Sequence, residues 1–209
     1  MKNTLFFSML IALCVGFGCS NAQSMSSKKI LIVYLSRTNN TKAVAEIIQK
    51  NVGGTLVGLE LVTPYPADYH ATVQQVVKGN EAGYLPPLKT KIDSIQDYDI
   101  IFVGFPTWDM KIPPPMKSFL KEYDLSGKTV VPFNTNAGYG VGSSFQTVKE
   151  LCPRSKVLGG FSIHGGVERD GVYFVIKGER GKEVESKVKK WLGEIKPLIP
   201  LQWVDASQE

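Results

Sequence analysis

The stretch of sequence best suited to chemistry is SRTNNT, residues 36–41, called loop one here. It lies between the apolar run ILIVYL and the helical pattern KAVAEIIQKNV. A helix N-terminus presents unpaired backbone N–H groups and a partial positive charge, so such a loop suits a phosphate or another anion. Ser36, Thr38 and Thr41 supply hydroxyl donors, and Asn40 supplies an amide. The alternative is an ordinary helix cap, which needs only one such residue.

Asn39 and Arg37 complete loop one. Asparagine tolerates a left-handed backbone, which suits Asn39 to a sharp turn. Arg37 either adds positive charge to a phosphate or points into solvent, and the sequence leaves both alternatives open. Neither GxxxxGK[ST] nor GxGxxG occurs at this position, which excludes two other common phosphate loops.

A second loop, FPTWDM at residues 105–110, follows another apolar run and is called loop two. It contains Pro106, Thr107, Trp108 and Asp109. An indole on such a loop offers a flat surface for stacking a planar ring. A tryptophan packed into the core is the alternative.

A third loop, NTNAGYG at residues 134–140, is called loop three. It combines Thr135 and Asn136 with Gly138 and Tyr139. Glycine lets a backbone approach a flat ligand closely, and Tyr139 is placed to cover one face of a ring. The alternative is a flexible turn with no ligand. Together the three loops specify a phosphate site beside an aromatic plane, which is the outline of flavin mononucleotide (FMN).

The elements that must position these loops alternate between short apolar runs and helical patterns. This alternation predicts an α/β fold, a three-layer α/β/α sandwich with a five-stranded parallel sheet. Strands are expected at residues 29–35, 55–61, 98–104, 128–134 and 156–163. Helices are expected around the apolar stripes that contain Val44 and Met116, and at 69–81, 142–151 and 181–196. The turns in HGGVERDGVYFVIKGERG predict an extra hairpin before the last helix.

From about residue 28 to 197 the chain resembles the flavodoxin-like family. SRTNNT resembles the family's phosphate loop [ST]xTGNT, FPTWDM resembles its first flavin loop, and NTNAGYG resembles its second. The resemblance implies the strand order 2-1-3-4-5 and non-covalently bound FMN. It also implies three sets of FMN contacts: Ser36, Thr38, Asn39, Asn40 and Thr41 at the phosphate; Pro106, Thr107 and Trp108 at the isoalloxazine; Thr135, Asn136, Gly138 and Tyr139 at the pyrimidine side.

Departures from the family pattern occur at three positions. Asn39 replaces a glycine of the phosphate loop, which its tolerance of positive φ permits. Asp109 stands where a second tryptophan is common, and its carboxylate would lower the flavin potential by electrostatic repulsion. Met110 replaces a glycine, and a methionine reaches positive φ at a higher cost.

The resemblance implies electron transfer through the flavin, with a redox protein or a small molecule as partner. A quinone reductase that uses NAD(P)H is the alternative within flavin chemistry, and a flavin-free binding module is the alternative outside it. We nominate no catalytic base, because a flavin supplies its own redox chemistry. Tyr65, Tyr69 and Tyr84 are candidates to border the flavin. His70 and His164 show no metal-ligand spacing, so no metal site is predicted.

With 209 residues, of which 43% are hydrophobic, the chain is long enough for one domain with a substantial core. The formal charge is +5, but lysines alternate with acids and no long basic run occurs. This pattern gives no support to nucleic acid binding. Cys152 is interpreted as a buried, inert thiol.

Residues 1–24 read as a bacterial secretory signal, with Lys2 before an apolar stretch from Leu5 to Phe17. The stretch is short for the ~20 residues of a membrane-spanning anchor. Cleavage after Ala22 and lipid attachment at Cys19 are both open. We therefore expect an exported protein, periplasmic or lipid-anchored, with a flavodoxin-like domain at residues 25–209.

Overall fold

In the computed structural model, which describes residues 28–199, one parallel sheet organises the chain. Its strands within that range are β1 Ile30–Tyr34, β2 Thr55–Gly58, β3 Ile100–Pro106, β4 Thr129–Asn136, β5 Lys156–Val157 and β6 Phe161–His164. They are ordered β2-β1-β3-β4-β5, and β6 also pairs with β4. The predicted fold class and strand order are confirmed. The chain order reverses between β1 and β3, which is where ligands bind in such sheets.

Helices cover both faces of this sheet. They are α1 Asn40–Val52, α2 Tyr69–Glu81, α3 Pro114–Glu122, α4 Ser144–Leu151 and α5 Gly178–Ile195. Strand side chains alternate, so Ile32 packs in the core with α1 and α5, whereas Leu31 and Val33 pack in the core with α3 and α4. Burial on both faces explains why the strands read as continuous apolar runs.

The fifth strand was predicted as one segment, and it is broken in two. Val130 pairs with Val157, and Phe133 pairs with Phe161, so the fifth-strand side has one more residue than β4 over this stretch. Such an extra residue is a bulge. It lies opposite Pro132, which has no N–H to continue the hydrogen-bond ladder.

The predicted hairpin before the last helix does not form two strands. In its place the structure has a single bridge between Val167 and Val172, closed around a short 3-10 turn at Glu168–Asp170. The segment of residues 165–176 is called the strap here. Backbone groups in its second half bind the Asn40 side chain, as described below.

Among residues 28–199, no helix combines the length and apolar character that a membrane span requires. The predicted signal at residues 1–24, with Cys19 and Ala22, lies outside the described residues.

Candidate functional site

A cavity of about 340 Å³ opens where β1, β3 and β4 end. Cofactor pockets typically measure ~300–1,000 Å³. The predicted site residues that line it are Arg37, Thr38, Asn40, Thr41, Pro106, Thr107, Trp108, Asp109, Thr135, Asn136 and Tyr139. Ser36, Asn39 and Gly138 belong to the same loops but are not part of the cavity wall. The fold therefore brings the three loops together at one site.

Loop one enters α1 through a left-handed residue, because Asn39 has φ of 63°. The Asn39 side chain makes no capping hydrogen bond, which removes the ordinary-cap explanation for this residue. In the described part of the chain, the backbone N–H groups of residues 36–42 donate no hydrogen bond. Successive free N–H groups at a turn leading into a helix form a concave anion site.

Two hydroxyl groups of loop one differ in their hydrogen bonding. The Ser36 Oγ is buried, and it makes no hydrogen bond within residues 28–199. A buried donor without a partner costs ~1–3 kcal/mol, so a ligand that accepts from it is favoured. The Thr41 Oγ1 lies 2.8 Å from the Thr135 Oγ1, and both residues are buried. This contact fixes loop one against loop three.

Arg37 does not point freely into solvent, because its hydrogen-bond donors are directed at protein groups. Its Nε donates to Glu168 at 2.6 Å. Its two Nη atoms donate to the carbonyls of Pro66 and Ala67, at 2.9 and 2.7 Å. The guanidinium lines the cavity, yet it is directed at the strap and at the loop before α2. Arg37 thus connects three segments that are distant in the sequence.

Asn40 uses its whole side-chain amide within the protein. Its Nδ2 donates to Thr38 at 2.9 Å and to the Tyr173 carbonyl at 2.6 Å. Its Oδ1 accepts from the backbone N–H groups of Val175 and Ile176, at 3.0 and 3.3 Å. An asparagine amide has two donor hydrogens, and both are bound here. Only the backbone N–H of Asn40 remains for an anion, whereas the sequence interpretation assigned that role to the amide.

Loop two ends in a tight turn between Trp108 and Lys111, which exchange two backbone hydrogen bonds of 3.1 and 2.9 Å. The two central residues, Asp109 and Met110, have φ of 51° and 52°. Positive φ at both centres defines a type I′ turn, which usually contains Asn-Gly or Asp-Gly. The turn packs closely against Gly142, two residues after loop three, since a Cβ there would lie 1.9 Å from the Met110 carbonyl oxygen.

Trp108 is held in the cavity wall by Tyr65, whose ring meets the indole edge-on at 5.4 Å and 89°. Burial raises the pKa of Tyr65 to about 12, so its hydroxyl stays neutral at physiological pH. Edge-to-face aromatic pairs stabilise by ~0.5–1.5 kcal/mol beyond their buried area. Trp108 is thus fixed in position from outside the cavity.

Charges beside loop two are mixed. The Asp109 carboxylate lies 3.1 Å from Lys111 Nζ and accepts from Asn80 Nδ2 at 3.3 Å. The neighbouring Lys117 donates to Asn80 Oδ1, and burial together with the charge of Lys111 lowers the pKa of Lys117. The negative charge predicted for Asp109 is therefore compensated locally by lysines.

Loop three is ordered by a polar network under its surface. Buried Asn134 donates to the Phe105 carbonyl and to the Thr107 hydroxyl, both at 3.0 Å. The Asn136 Oδ1 accepts from the Gly138 N–H at 2.9 Å. Gly138 therefore shapes the turn and does not line the cavity. Tyr139, which is 65% exposed, projects from this turn and contributes to the wall.

Two parts of the wall were not assigned to the site from the sequence. The first is a stripe of α2, and the second is the start of the strap. The α2 residues are Tyr69, Thr72, Val73, Val76 and Val77, of which only Tyr69 was a candidate. The strap residues are Gly165, Gly166, Val167, Glu168 and Arg169. The helical spacing of the α2 stripe is a pattern from which these residues could have been predicted. In the strap, only the adjacent glycines 165 and 166 could have indicated a role in the site.

The other residues considered from the sequence lie elsewhere. Burial raises the pKa of the Cys152 thiol to about 11, consistent with its interpretation as inert. His70 contacts the Tyr69 ring at 5.5 Å. The ring of His164 lies beside Gly138. Within residues 28–199, no three His, Cys, Asp or Glu side chains are grouped to hold a metal ion.

Fold and site together define a doubly wound α/β protein with a ligand cavity at the switch point of its parallel sheet. The profile of the Flavodoxin family matches residues 29–177. The chain belongs to this family.

Individual relatives agree with this assignment. A flavodoxin from Synechocystis sp. is 26% identical over 191 residues, which cover 82% of this chain and 98% of the relative. A candidate flavoprotein from Bacteroides eggerthii superposes with a TM-score of 0.65 at 28% identity, covering 81% of this chain and 98% of its own. A flavoprotein from Lactobacillus acidophilus, solved in complex with FMN, gives a TM-score of 0.57 at 25% identity. This match covers 65% of the present chain and 93% of the Lactobacillus acidophilus protein.

Proposed function

We propose that this protein binds FMN non-covalently and transfers electrons through it. One observation carries the proposal: the backbone N–H groups of residues 36–42 are free, and four of these residues line a cavity whose wall also includes Trp108 and Tyr139. An anion site beside two aromatic side chains matches the phosphate and the ring of one flavin mononucleotide. Family membership and the FMN complex of the Lactobacillus acidophilus flavoprotein support the same conclusion.

The residues present fit this cofactor. The backbone of loop one would hold the phosphate, aided by Thr38, which lines the cavity. The unpartnered Ser36 hydroxyl belongs to the same loop but lies outside the cavity wall, so it would need a small shift to reach the phosphate. Trp108 and Tyr139 would contact the ring from loops two and three, and Thr107 and Asn136 would meet its polar edge. Once bound, FMN supplies reversible electron transfer, while the protein binds it, orients it and limits access to it.

The direct test is to express residues 25–209, record the visible spectrum and identify any released chromophore by mass. We expect a yellow protein that releases one equivalent of FMN. Trp108→Ala should weaken FMN binding by ~10-fold or more, since aromatic stacking on a planar base contributes ~1–3 kcal/mol. Folded protein that neither carries nor takes up FMN would instead support a flavin-free module.

A second function, two-electron reduction of a quinone by NAD(P)H, is favoured by one observation. The stripe of α2 that contains Val73, Val76 and Val77 gives the cavity an apolar side wall. Such a wall suits a flat, uncharged acceptor. NADPH oxidation that requires both bound FMN and an added quinone would identify a reductase. Oxidation of the reduced flavin only by redox proteins would identify a carrier.

We also propose that the protein acts outside the bacterial cytoplasm. This rests on the secretory pattern of residues 1–24, with either cleavage after Ala22 or lipid attachment at Cys19. Its partner would then be a redox protein or a small acceptor in the periplasm or at the membrane surface. Mass spectrometry of the N-terminus of the native protein separates the two forms, and finding Met1 retained in the cytoplasm would contradict export.

A further inference from the structure

Two independent sets of contacts bind the strap, residues 165–176, to loop one. The Arg37 Nε donates to Glu168 at 2.6 Å, across 131 positions of sequence. The Asn40 amide binds three backbone groups of the strap's second half, including the Val175 N–H at 3.0 Å. Loop one is therefore held by the strap at both of these positions.

The Arg37–Glu168 pair is the most buried ion pair in the described part of the chain. The two side chains are 19% and 17% exposed, whereas every other pair has at least one partner more than 40% exposed. A desolvated pair differs from a surface pair, because removing one member leaves the other charge uncompensated. Removing either Arg37 or Glu168 alone should therefore destabilise this part of the protein more than removing one member of an exposed pair.

The strap is also close-packed where it forms the cavity wall. A Cβ at Gly166 would lie 2.0 Å from the Tyr173 carbonyl oxygen, so a side chain at that position would force the two arms of the strap apart. A Cβ at Gly165 would lie 3.2 Å from the Asn40 Cβ. The strap therefore has one close-packed position against loop one.

We propose that Arg37 and Glu168 are positioning residues for the cofactor phosphate. Their ion pair fixes loop one so that the N–H groups of residues 36–42 converge on the anion, and Arg37 contributes no direct charge to it. The inference rests on the proposed function, because it concerns how the same cavity holds FMN. According to this proposal, the affinity for the phosphate depends partly on the strap, which is far from loop one in the sequence.

The test measures dissociation constants of FMN and of riboflavin, which lacks the phosphate, by quenching of flavin fluorescence. The variants are Glu168→Gln, Arg37→Gln, Arg37→Lys and the double change R37Q/E168Q. We expect each to weaken FMN roughly tenfold while riboflavin changes less than about threefold. The double variant should be no weaker than either single one, because both remove the same contact. Glu60→Gln and Arg154→Gln, in exposed ion pairs, are the matched controls and should leave both constants unchanged.

Several outcomes would overturn the inference. If Arg37 acts as a direct charge on the phosphate, Arg37→Lys binds FMN like the wild type and Glu168→Gln binds it more tightly. Equal losses for FMN and riboflavin would show a general structural defect.

A second readout is hydrogen exchange of the strap amides without flavin, which should accelerate in all four variants and not in the controls. Wild-type protein that binds neither flavin refutes the proposed function, whereas tight wild-type binding with unaffected variants refutes only the strap's role.

Discussion

The two ends of the sheet are built differently. At the carboxyl ends, Asn39, Asp109 and Met110 adopt left-handed conformations, and the Ser36 hydroxyl is buried without a partner among the described residues. At the amino ends, no buried side-chain polar atom of residues 28–199 lacks a partner. Buried Lys128, for example, donates to two backbone carbonyls at 2.7 and 2.9 Å. Both buried hydroxyls that lack a partner among the described residues, Ser36 and Ser144, thus follow carboxyl ends of strands, as do three of the four left-handed residues other than glycine.

This contrast separates residues that stabilise the fold from residues that prepare a binding site. Strained backbone and unsatisfied polar groups cost stability and are kept where a ligand uses them. Even the amino end has one left-handed residue other than glycine, Ser94, with φ of 52°. There it lines a second cavity of similar volume, about 340 Å³, with Asp93, Asp97 and Tyr98. Among the described residues, no side chain of that wall has a buried polar atom without a partner. The two ends therefore differ because only the carboxyl end, within the described residues, combines left-handed residues with a buried hydroxyl that lacks a partner.

The largest expected effect is that of Asn40→Ala. This change removes all four hydrogen bonds of a side chain that is 2% exposed. We expect the free energy of unfolding to fall by roughly 3 kcal/mol, measured by urea denaturation without flavin. FMN affinity should fall as well, since the strap loses one of its two attachments to loop one. Asn51→Ala, which removes one bond to the Ile47 carbonyl, is the control and should change stability by less than ~0.5 kcal/mol. Equal effects of the two changes would contradict this account.

Lys128→Met should show most clearly that the amino end of the sheet affects stability without affecting FMN binding. It leaves the carbonyls of Gln96 and Tyr98 without their charged donor, so stability should fall by about 1–3 kcal/mol. FMN affinity should stay within about twofold, because any effect must cross the folded sheet. The exposed Lys149→Met is the control for removing a lysine charge. A large loss of FMN affinity in folded Lys128→Met protein would show that the two ends are coupled.

Met110→Gly should stabilise the protein, a rare outcome for a substitution by glycine. Left-handed backbone costs a side-chain-bearing residue ~1–2 kcal/mol, and Met110 is 46% exposed, so little burial is lost. We expect a gain of about 1 kcal/mol in urea denaturation. Gly127→Ala, at φ of 75° with nothing within 4 Å, is the inverse control and should lose a similar amount. Destabilisation by Met110→Gly would mean that the methionine side chain itself holds the turn.

The smallest expected effect is that of Asp109→Asn on the flavin potential. Removing a carboxylate beside the ring should raise the potential, but Lys111 already compensates its charge. Exposed ion pairs contribute ~0.2–1 kcal/mol, which corresponds to a rise of about 5–20 mV for two electrons. Lys111→Gln should shift the potential in the opposite direction. Potentiometric titration measures both, and a fall in the Asp109→Asn variant would contradict the electrostatic argument.

Local patterns in the sequence were sufficient to predict the alternating strands and helices and the three loops, whereas the strand order came from the family resemblance. The apolar runs of β1 and β3 and the helix at residues 69–81 follow from periodicity alone. The roles of Arg37 and Asn40 in holding the strap did not follow, because the strap residues that they bind lie more than 130 positions away in the sequence. The break between β5 and β6 was equally hidden, since it depends on Pro132 in the neighbouring strand.

The most direct measurement is a parallel titration of FMN and riboflavin into the folded protein, followed by flavin fluorescence and thermal unfolding. We predict that both flavins bind, and that FMN binds at least about tenfold more tightly because the amides of loop one hold its phosphate. FMN should also raise the unfolding temperature more than riboflavin does. Equal affinity for the two flavins, or no quenching and no thermal shift with either, would contradict an anion site in loop one.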